Sequence, residues 1–177
     1  MKRLQAVLAL SAITVGLALT SRPASSVVSQ PWSKANTLNI GGIHLGMPEV
    51  DARRAAAQYR TTTVPVSIRY DDRHRVSFVS GGDLRQGTRM LASWQDGSNK
   101  VREALGTPFL KAPLGIATVT FYPAGSHWVM FRFQTPNMFS RAAAFPEFGL
   151  AADAGSIPTA PGGDYWGATA LMKALPQ

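Results

Sequence analysis

The segment GGIHLGMPEVDARRAAA, residues Gly41 to Ala57, contains the clearest helix start in the chain. Pro48 suits the first helical position, because the N–H that proline lacks would have no partner there. Glu49 and Asp51 place negative charge near the positive end of the helix dipole, and the alanines after them are strong helix formers. We therefore predict a helix over Pro48–Tyr59, with side chains small enough to lie close on a sheet.

The glycines that precede this helix raise the question of a phosphate-binding loop. Such a loop needs consecutive glycine N–H groups that converge on a helix start, usually with a following Gly-Lys-Ser/Thr. Gly41, Gly42 and Gly46 fit neither GxGxxG nor GxxxxGK, and Pro48 removes one donor. The pattern favours a turn over a phosphate site.

A hairpin follows the first helix. Apolar residues alternate from Val64 to Tyr70 and again from Arg75 to Ser80, with a polar turn, Asp71 to His74, between the two runs. Alternation of this kind on both sides of a turn is typical of paired antiparallel strands. A further strand is predicted over Thr88 to Gln95.

The order helix–hairpin then occurs a second time. Asp96 or Ser98 can cap a helix that ends at Gly106-Thr107-Pro108, and a second hairpin joins Ile116–Tyr122 to Trp128–Gln134. Units at 48–80 and 96–134 therefore predict an α+β fold, in which an antiparallel sheet carries two helices packed on one face. Three phenylalanines of the second hairpin are predicted to be core: Phe121, Phe131 and Phe133.

The N-terminus has the pattern of a secretory signal peptide. Positive Met1-Lys2-Arg3 precedes the apolar run from Leu4 to Thr20, and Ala24-Ser25-Ser26 supplies small residues for cleavage. We expect an exported protein, periplasmic or secreted. Cleavage after residue 26 would lower the formal charge from +8 to +5, because three basic residues and no acidic ones are removed.

The remaining chain divides by composition. The predicted layout is a signal peptide at 1–26, a flexible leader at 27–37, an α+β domain at 38–140, an Ala/Gly/Pro-rich linker at 141–163 and a short C-terminal helix at 164–177. Hydrophobic residues make up 45% of the 177, which is enough for a packed core.

Two phrases carry a family resemblance, "GGIHLGMPEV" and "VREALGTP". They resemble the I-x-x-G-M-[ST]-x-x-E-V and L-G-x-P phrases of BamE-type outer-membrane assembly lipoproteins (the small protein A family) and of β-lactamase-inhibitor-like modules. The likeness covers the layout of residues 38–134 and implies an exported helix-on-sheet binding module. The chain departs from the family in having Pro48 at the usual Ser/Thr cap, about fifty residues between the phrases, and no lipobox cysteine.

Basic residues provide the first candidate site. Arg69 lies at an outward strand position, Arg73 lies in the hairpin turn, and Arg75 faces away from Val76. Together they predict a basic patch for an anionic lipid or polysaccharide. The alternative is an ordinary solvated face. Export makes a nucleic-acid partner unexpected.

The second candidate site is apolar. Trp128 and Met130 lie on the strand face opposite Phe131, so helices on one side only would leave them exposed. Exposed apolar patches tend to be contact sites. The C-terminal helix is the alternative cover for this face.

Catalytic and metal chemistry have little support in the sequence. Cysteine is absent, which excludes disulfides, thiolate zinc sites and a cysteine nucleophile. The three histidines have no metal-ligand spacing, and no G-x-S-x-G elbow occurs. We predict no cofactor and no metal.

The leading functional hypothesis is an exported, non-enzymatic module that binds a protein or cell-envelope component through its sheet face. The alternatives are a small secreted hydrolase with an unidentified site, and a basic envelope protein that binds anionic lipid or polysaccharide.

Overall fold

The computed structural model describes residues 37–59, 64–134, 146–159 and 164–176. The signal peptide predicted at 1–26 lies outside these residues, as does nearly all of the leader. Within them the fold is mixed α and β. The helices are α1 Glu49–Gln58, α2 Ser98–Leu105 and α3 Ala168–Ala174. The strands are β1 Leu38–Asn39, β2 Ser67–Tyr70, β3 Val76–Gly81, β4 Asp83–Gln86, β5 Arg89–Ser93, β6 Leu110–Leu114, β7 Ala117–Ala124, β8 His127–Gln134 and β9 Glu147–Ala151.

The strands form two antiparallel sheets. The larger has the order β2-β3-β9-β8-β7-β6, and the smaller has the order β1-β4-β5. Both predicted hairpins are present, as β2–β3 and β7–β8. Three short strands were not predicted from the sequence. They are β4, which follows the Gly81-Gly82 bend, β6, which pairs with β7 at the edge of the larger sheet, and β9.

Strand β9 lies in the middle of the larger sheet, although the sequence predicted a linker over 141–163. It pairs with β3 on one side and with β8 on the other. Gly149 made this segment resemble a linker, but a Cβ there would come within 3.0 Å of Met130 and 3.3 Å of Trp166. The glycine is needed because side chains from two other elements pack against its backbone.

One hydrophobic core joins residues of the larger sheet with residues of the first two helices and the smaller sheet. Ala52 of α1 and Val101 and Leu105 of α2 join this core, as does the isoleucine pair Ile40 and Ile43. The sheet contributes Val79, Tyr122, Val129, Phe131, Phe148 and Leu150.

The opposite face is also buried, which corrects the expectation of an open sheet. Trp166 and Leu171 of the C-terminal segment cover it, together with Ile157. The strand residues beneath them include Phe78, Val119, Phe121 and Met130.

The register of the second hairpin explains where its phenylalanines lie. Phe121 is paired with Met130 and belongs to the core that includes Leu171 of α3, whereas Phe131 belongs to the core that includes residues of α1 and α2. Both are buried, as predicted. Phe133 is only partly buried at the edge of the core, where its ring stacks on Phe131 with centroids 5.3 Å apart.

Candidate functional site

The start of α1 and the β2–β3 turn enclose an open groove of about 480 Å³. Seven residues line it: Pro48, Glu49, Val50, Arg53, Arg73, His74 and Arg75. The groove therefore combines three arginines, a histidine and one carboxylate with an exposed apolar side chain, Val50.

Backbone hydrogen bonds hold the two walls of the groove together. The N–H of Glu49 donates to the carbonyl of His74 at 2.9 Å, and the N–H of Val76 donates to Met47 at 2.9 Å. The N–H of Gly46 donates to the carbonyl of Val76 at 2.8 Å, and Gly46 has a φ of +78°. Gly46 thus serves as a turn residue whose N–H is already bonded, as the turn interpretation of the sequence expects.

The turn that carries the arginines is fixed by one aspartate. Asp71 accepts hydrogen bonds at 2.9 Å from the backbone N–H groups of both Arg73 and Arg75. Side chains of this type stabilise turns by bonding to nearby backbone N–H groups. His74 lies in the left-handed region with a φ of 54°. The result is a turn that places Arg73, His74 and Arg75 together along the groove.

Glu49 is the centre of the charge network. Its two oxygens bind different partners, the Arg53 guanidinium at 2.5 Å and Nδ1 of His74 at 2.8 Å. The hydrogen bond with His74, followed by that with Arg53, lowers the pKa of Glu49 below its ordinary value. Glu49 is therefore ionised at neutral pH, and its acceptor oxygens face Arg53 and His74.

Arg73 and Arg75 remain without a carboxylate partner among the described residues. Arg75 donates through Nη1 to the carbonyl of Gly46 at 2.9 Å, which positions its guanidinium without neutralising it. Arg73 is exposed, and no ion pair joins its side chain to any described residue. With three arginines and one glutamate, the groove lining has a formal charge of +2 when His74 is neutral.

The structure separates the other predicted site residues from these two. Arg69 is exposed on β2 but does not line the groove. Met130 is fully buried beneath the C-terminal segment, so its predicted exposure is wrong. Trp128 is partly buried and packs on Phe109, with ring centroids 5.5 Å apart.

Sequence reasoning missed five of the seven groove residues: Pro48, Glu49, Val50, Arg53 and His74. Glu49 and Arg53 have an i,i+4 spacing that predicts a pair on a helix surface. That signal was available in the sequence. The approach of His74 to Glu49 was not, because it depends on the Pro48–Arg75 bridge between distant segments.

The groove has a limited chemical repertoire. It pairs a histidine with a carboxylate, but none of its lining residues carries a hydroxyl or thiol that could act as a nucleophile. The other two histidines bond to backbone carbonyls, His44 to Leu45 and His127 to Ala152. In the described ranges, no group of three or more His, Asp or Glu residues could hold a metal ion.

A second polar cluster ties the C-terminal segment to the sheet. Glu147 accepts hydrogen bonds from Ser80 Oγ at 2.6 Å and from the Tyr165 hydroxyl at 3.1 Å. Arg132 donates to the same hydroxyl at 2.8 Å and lies 3.9 Å from the Tyr165 ring centroid. Burial raises the pKa of Glu147, and the bonds from Ser80 and Tyr165 oppose that rise. Ser80 is itself buried, whereas Tyr165 is 44% exposed, with its hydroxyl bonded to both Arg132 and Glu147.

No protein-family model, curated protein or solved structure matches this chain. The resemblance to BamE-type and β-lactamase-inhibitor-like domains therefore stays a prediction. Among the residues that the structure describes, no helix has the length and apolarity to cross a membrane.

Proposed function

We propose that the protein is an exported, non-enzymatic binding module whose groove holds the anionic groups of an acidic envelope polysaccharide. The observation that carries this proposal is the position of Arg73 and Arg75. They lie side by side in an open groove, and neither has a carboxylate partner among the described residues. Guanidinium groups are well suited to carboxylates and sulfates, because their planar donors can bind two oxygens at once.

Burial on both faces of the larger sheet moves the proposed contact away from the sheet face. Trp128 and Met130 were the residues expected to bind there, and the C-terminal segment covers that side. The class of partner that we propose is therefore the anionic envelope component, which was one of the alternative hypotheses from the sequence. The groove is concave, which suits an extended chain better than the flat surface of a lipid bilayer.

The groove also provides an apolar contact beside its charges. Val50 is 64% exposed at the start of α1 and lines the same groove as Arg53 and Arg73. A sugar ring has both an apolar face and ionic or hydroxyl substituents. The combination of Val50 with the arginines can therefore accept more of such a ring than a purely ionic surface could.

The test is a binding assay with polygalacturonate as the acidic polysaccharide and dextran as the neutral control. The protein should be recovered from the exported fraction, where its intact mass also shows whether residues 1–26 are removed. We expect binding to polygalacturonate alone, and we expect it to weaken as salt rises, because exposed charges are screened over about 8 Å at physiological ionic strength.

A matched pair of variants separates the groove from net charge. Arg73→Ser/Arg75→Ser should weaken binding about tenfold, which corresponds to about 1.4 kcal/mol. Arg69→Ser/Arg89→Ser removes the same charge from exposed positions outside the groove and should change affinity much less. Melting temperatures should change little in either variant, because surface substitutions usually shift stability by less than about 0.5 kcal/mol.

Two results would contradict the proposal. Equal losses in the two double variants would reduce the interaction to nonspecific charge attraction. Binding to vesicles of phosphatidylglycerol without binding to polygalacturonate would identify an anionic lipid surface as the partner instead.

A further inference from the structure

A second pocket lies at the opposite end of α1, between that helix and the smaller sheet. It has a volume of about 440 Å³ and opens to solvent. Tyr59, Asp83 and Arg85 form a bonded group in it. The Tyr59 hydroxyl donates to one oxygen of Asp83, and Nε of Arg85 donates to the other at 2.7 Å. Asp83 is only 7% exposed, so its carboxylate is held in a defined orientation.

The charge of this pocket differs from that of the groove. Asp83 and Arg85 are the charged members of its described lining, and they pair with each other, so the formal charge is zero. Within the described ranges, this pair has hydrogen-bonding groups that are not in use. A carboxylate can accept about four hydrogen bonds, and a guanidinium has five N–H donors. Asp83 uses two acceptor sites, and Arg85 uses only its Nε–H among the described residues.

A neutral site with adjacent spare acceptors and donors matches groups that both donate and accept. Hydroxyls on neighbouring carbons have this property, whereas a phosphate or carboxylate would be repelled by Asp83. Gln58 and Thr88, which are exposed in the lining, add further groups of both kinds.

Glycines form part of the pocket wall and leave room for a ring. Gly41, Gly42 and Gly87 all have positive φ values, which favour glycine. A Cβ added at Gly42 or Gly87 would meet nothing within 4 Å, so the backbone there is open to close approach.

Asn39 fixes two of these glycine turns relative to each other. Its Nδ2 donates to the carbonyl of Gly87 at 2.9 Å, and its Oδ1 accepts from the N–H of Gly42 at 3.1 Å. Asn39 is 8% exposed. This side chain holds the wall of the pocket in place before any ligand arrives, which lowers the ordering cost of binding.

We propose that this pocket binds one neutral saccharide unit through a pair of adjacent hydroxyls, with Asp83 as acceptor and Arg85 as donor. The site is distinct from the groove. The two sites share no lining residue: on α1 the groove uses Glu49, Val50 and Arg53, whereas the pocket uses Ala55 and Gln58.

The test is a titration of ¹⁵N-labelled mature protein with neutral methyl glycosides of glucose, galactose and mannose, and with N-acetylglucosamine. We expect at least one of them to cause saturable shifts of the Gly41, Gly42 and Gly87 amide signals, with a Kd in the millimolar range. The sugars are neutral, and the signals come from glycines of the pocket. A binding result here is therefore independent of the groove, which is tested with acidic polymers.

Three variants locate the contact. Arg85→Met removes the donors and should weaken binding at least tenfold. Gln58→Ala/Thr88→Ala changes two exposed rim residues, so it reports on the pocket even if Arg85→Met fails to fold. Arg73→Ser/Arg75→Ser should bind the glycoside as well as wild type does.

The proposal is overturned if none of the four sugars gives saturable shifts at these glycines. It is also overturned if both pocket variants bind as tightly as wild type. Larger shifts of the same signals with inorganic phosphate would make the pocket an anion site.

Discussion

The two faces of the larger sheet are both buried, but they are covered by different parts of the chain. One core joins the larger sheet to residues of α1, α2 and the smaller sheet, which come from the segments before and between the hairpins. On the other face, the cover is a short C-terminal segment with Trp166 and Leu171. The comparison shows that alternating apolar residues on a strand predict that a sheet face is buried. They do not predict which segment of the chain covers that face.

The largest effects should come from the phenylalanines that face opposite ways in the second hairpin. Phe131→Ala leaves a cavity in the core that includes residues of α1 and α2. Phe121→Ala leaves a cavity in the core that includes residues of α3. Each should lower the free energy of unfolding by about 3–5 kcal/mol, the usual loss for a buried phenylalanine. Urea unfolding of both variants measures it. A near-zero loss for Phe121→Ala alone would mean that the C-terminal segment does not form a true core.

A smaller effect should follow from the covering helix itself. Leu171 of α3 is fully buried, whereas Met172, its neighbour, is 56% exposed. Leu171→Ala should therefore cost about 2–5 kcal/mol, and Met172→Ala less than about 0.5 kcal/mol. Thermal melts of the two variants compare them directly. Equal and small shifts would show that α3 rests on the sheet without closing its core.

The smallest effect should be a pH dependence of stability that arises from Glu147, which bonds to Tyr165 of the C-terminal segment. Burial raises the pKa of Glu147, so between its ordinary pKa and the raised one the folded state holds a proton that the unfolded state has lost. Stability from this group is therefore present at low pH and is lost as pH rises through the raised pKa. Relative to Glu147→Gln, wild type should gain melting temperature from neutral to mildly acidic pH.

Glu103→Gln is the matched control for this pH series, because Glu103 is exposed on α2. It should follow the wild-type pH profile closely. If Glu147→Gln also follows wild type across the whole range, the Glu147 cluster does not couple the docking of the C-terminal segment to protonation.

Much of the fold could be predicted from local pattern. The first helix, both hairpins and the burial of Phe121 and Phe131 follow from periodicity and turn residues. Strand β9 could not be found in this way, because its Gly149 is selected by the approach of Met130 and Trp166, which belong to distant segments.

The candidate site was predicted only in part, because only some of its residues are close in sequence. Arg73 and Arg75 are close in sequence, and the turn held by Asp71 keeps them close in space. Arg69 was grouped with them because it is near in sequence, yet it lies outside the groove. The pocket around Asp83 could not be predicted, since Tyr59 reaches that carboxylate only after α1 has packed beside the smaller sheet.

The central position of β9 also has a consequence for the order in which the protein can assemble. Phe78 and Trp128 both take Ala151 as their cross-strand neighbour, so within the larger sheet the segment 147–151 joins the two hairpins. While that segment is still missing from a growing chain, β3 and β8 each have an unpaired edge. Long-range pairing of this kind slows folding, because a large loop must close before its contacts form. The export that we propose for this protein would fit such a sheet, because a chain whose central strand is made late would still be incompletely folded when it reaches the membrane.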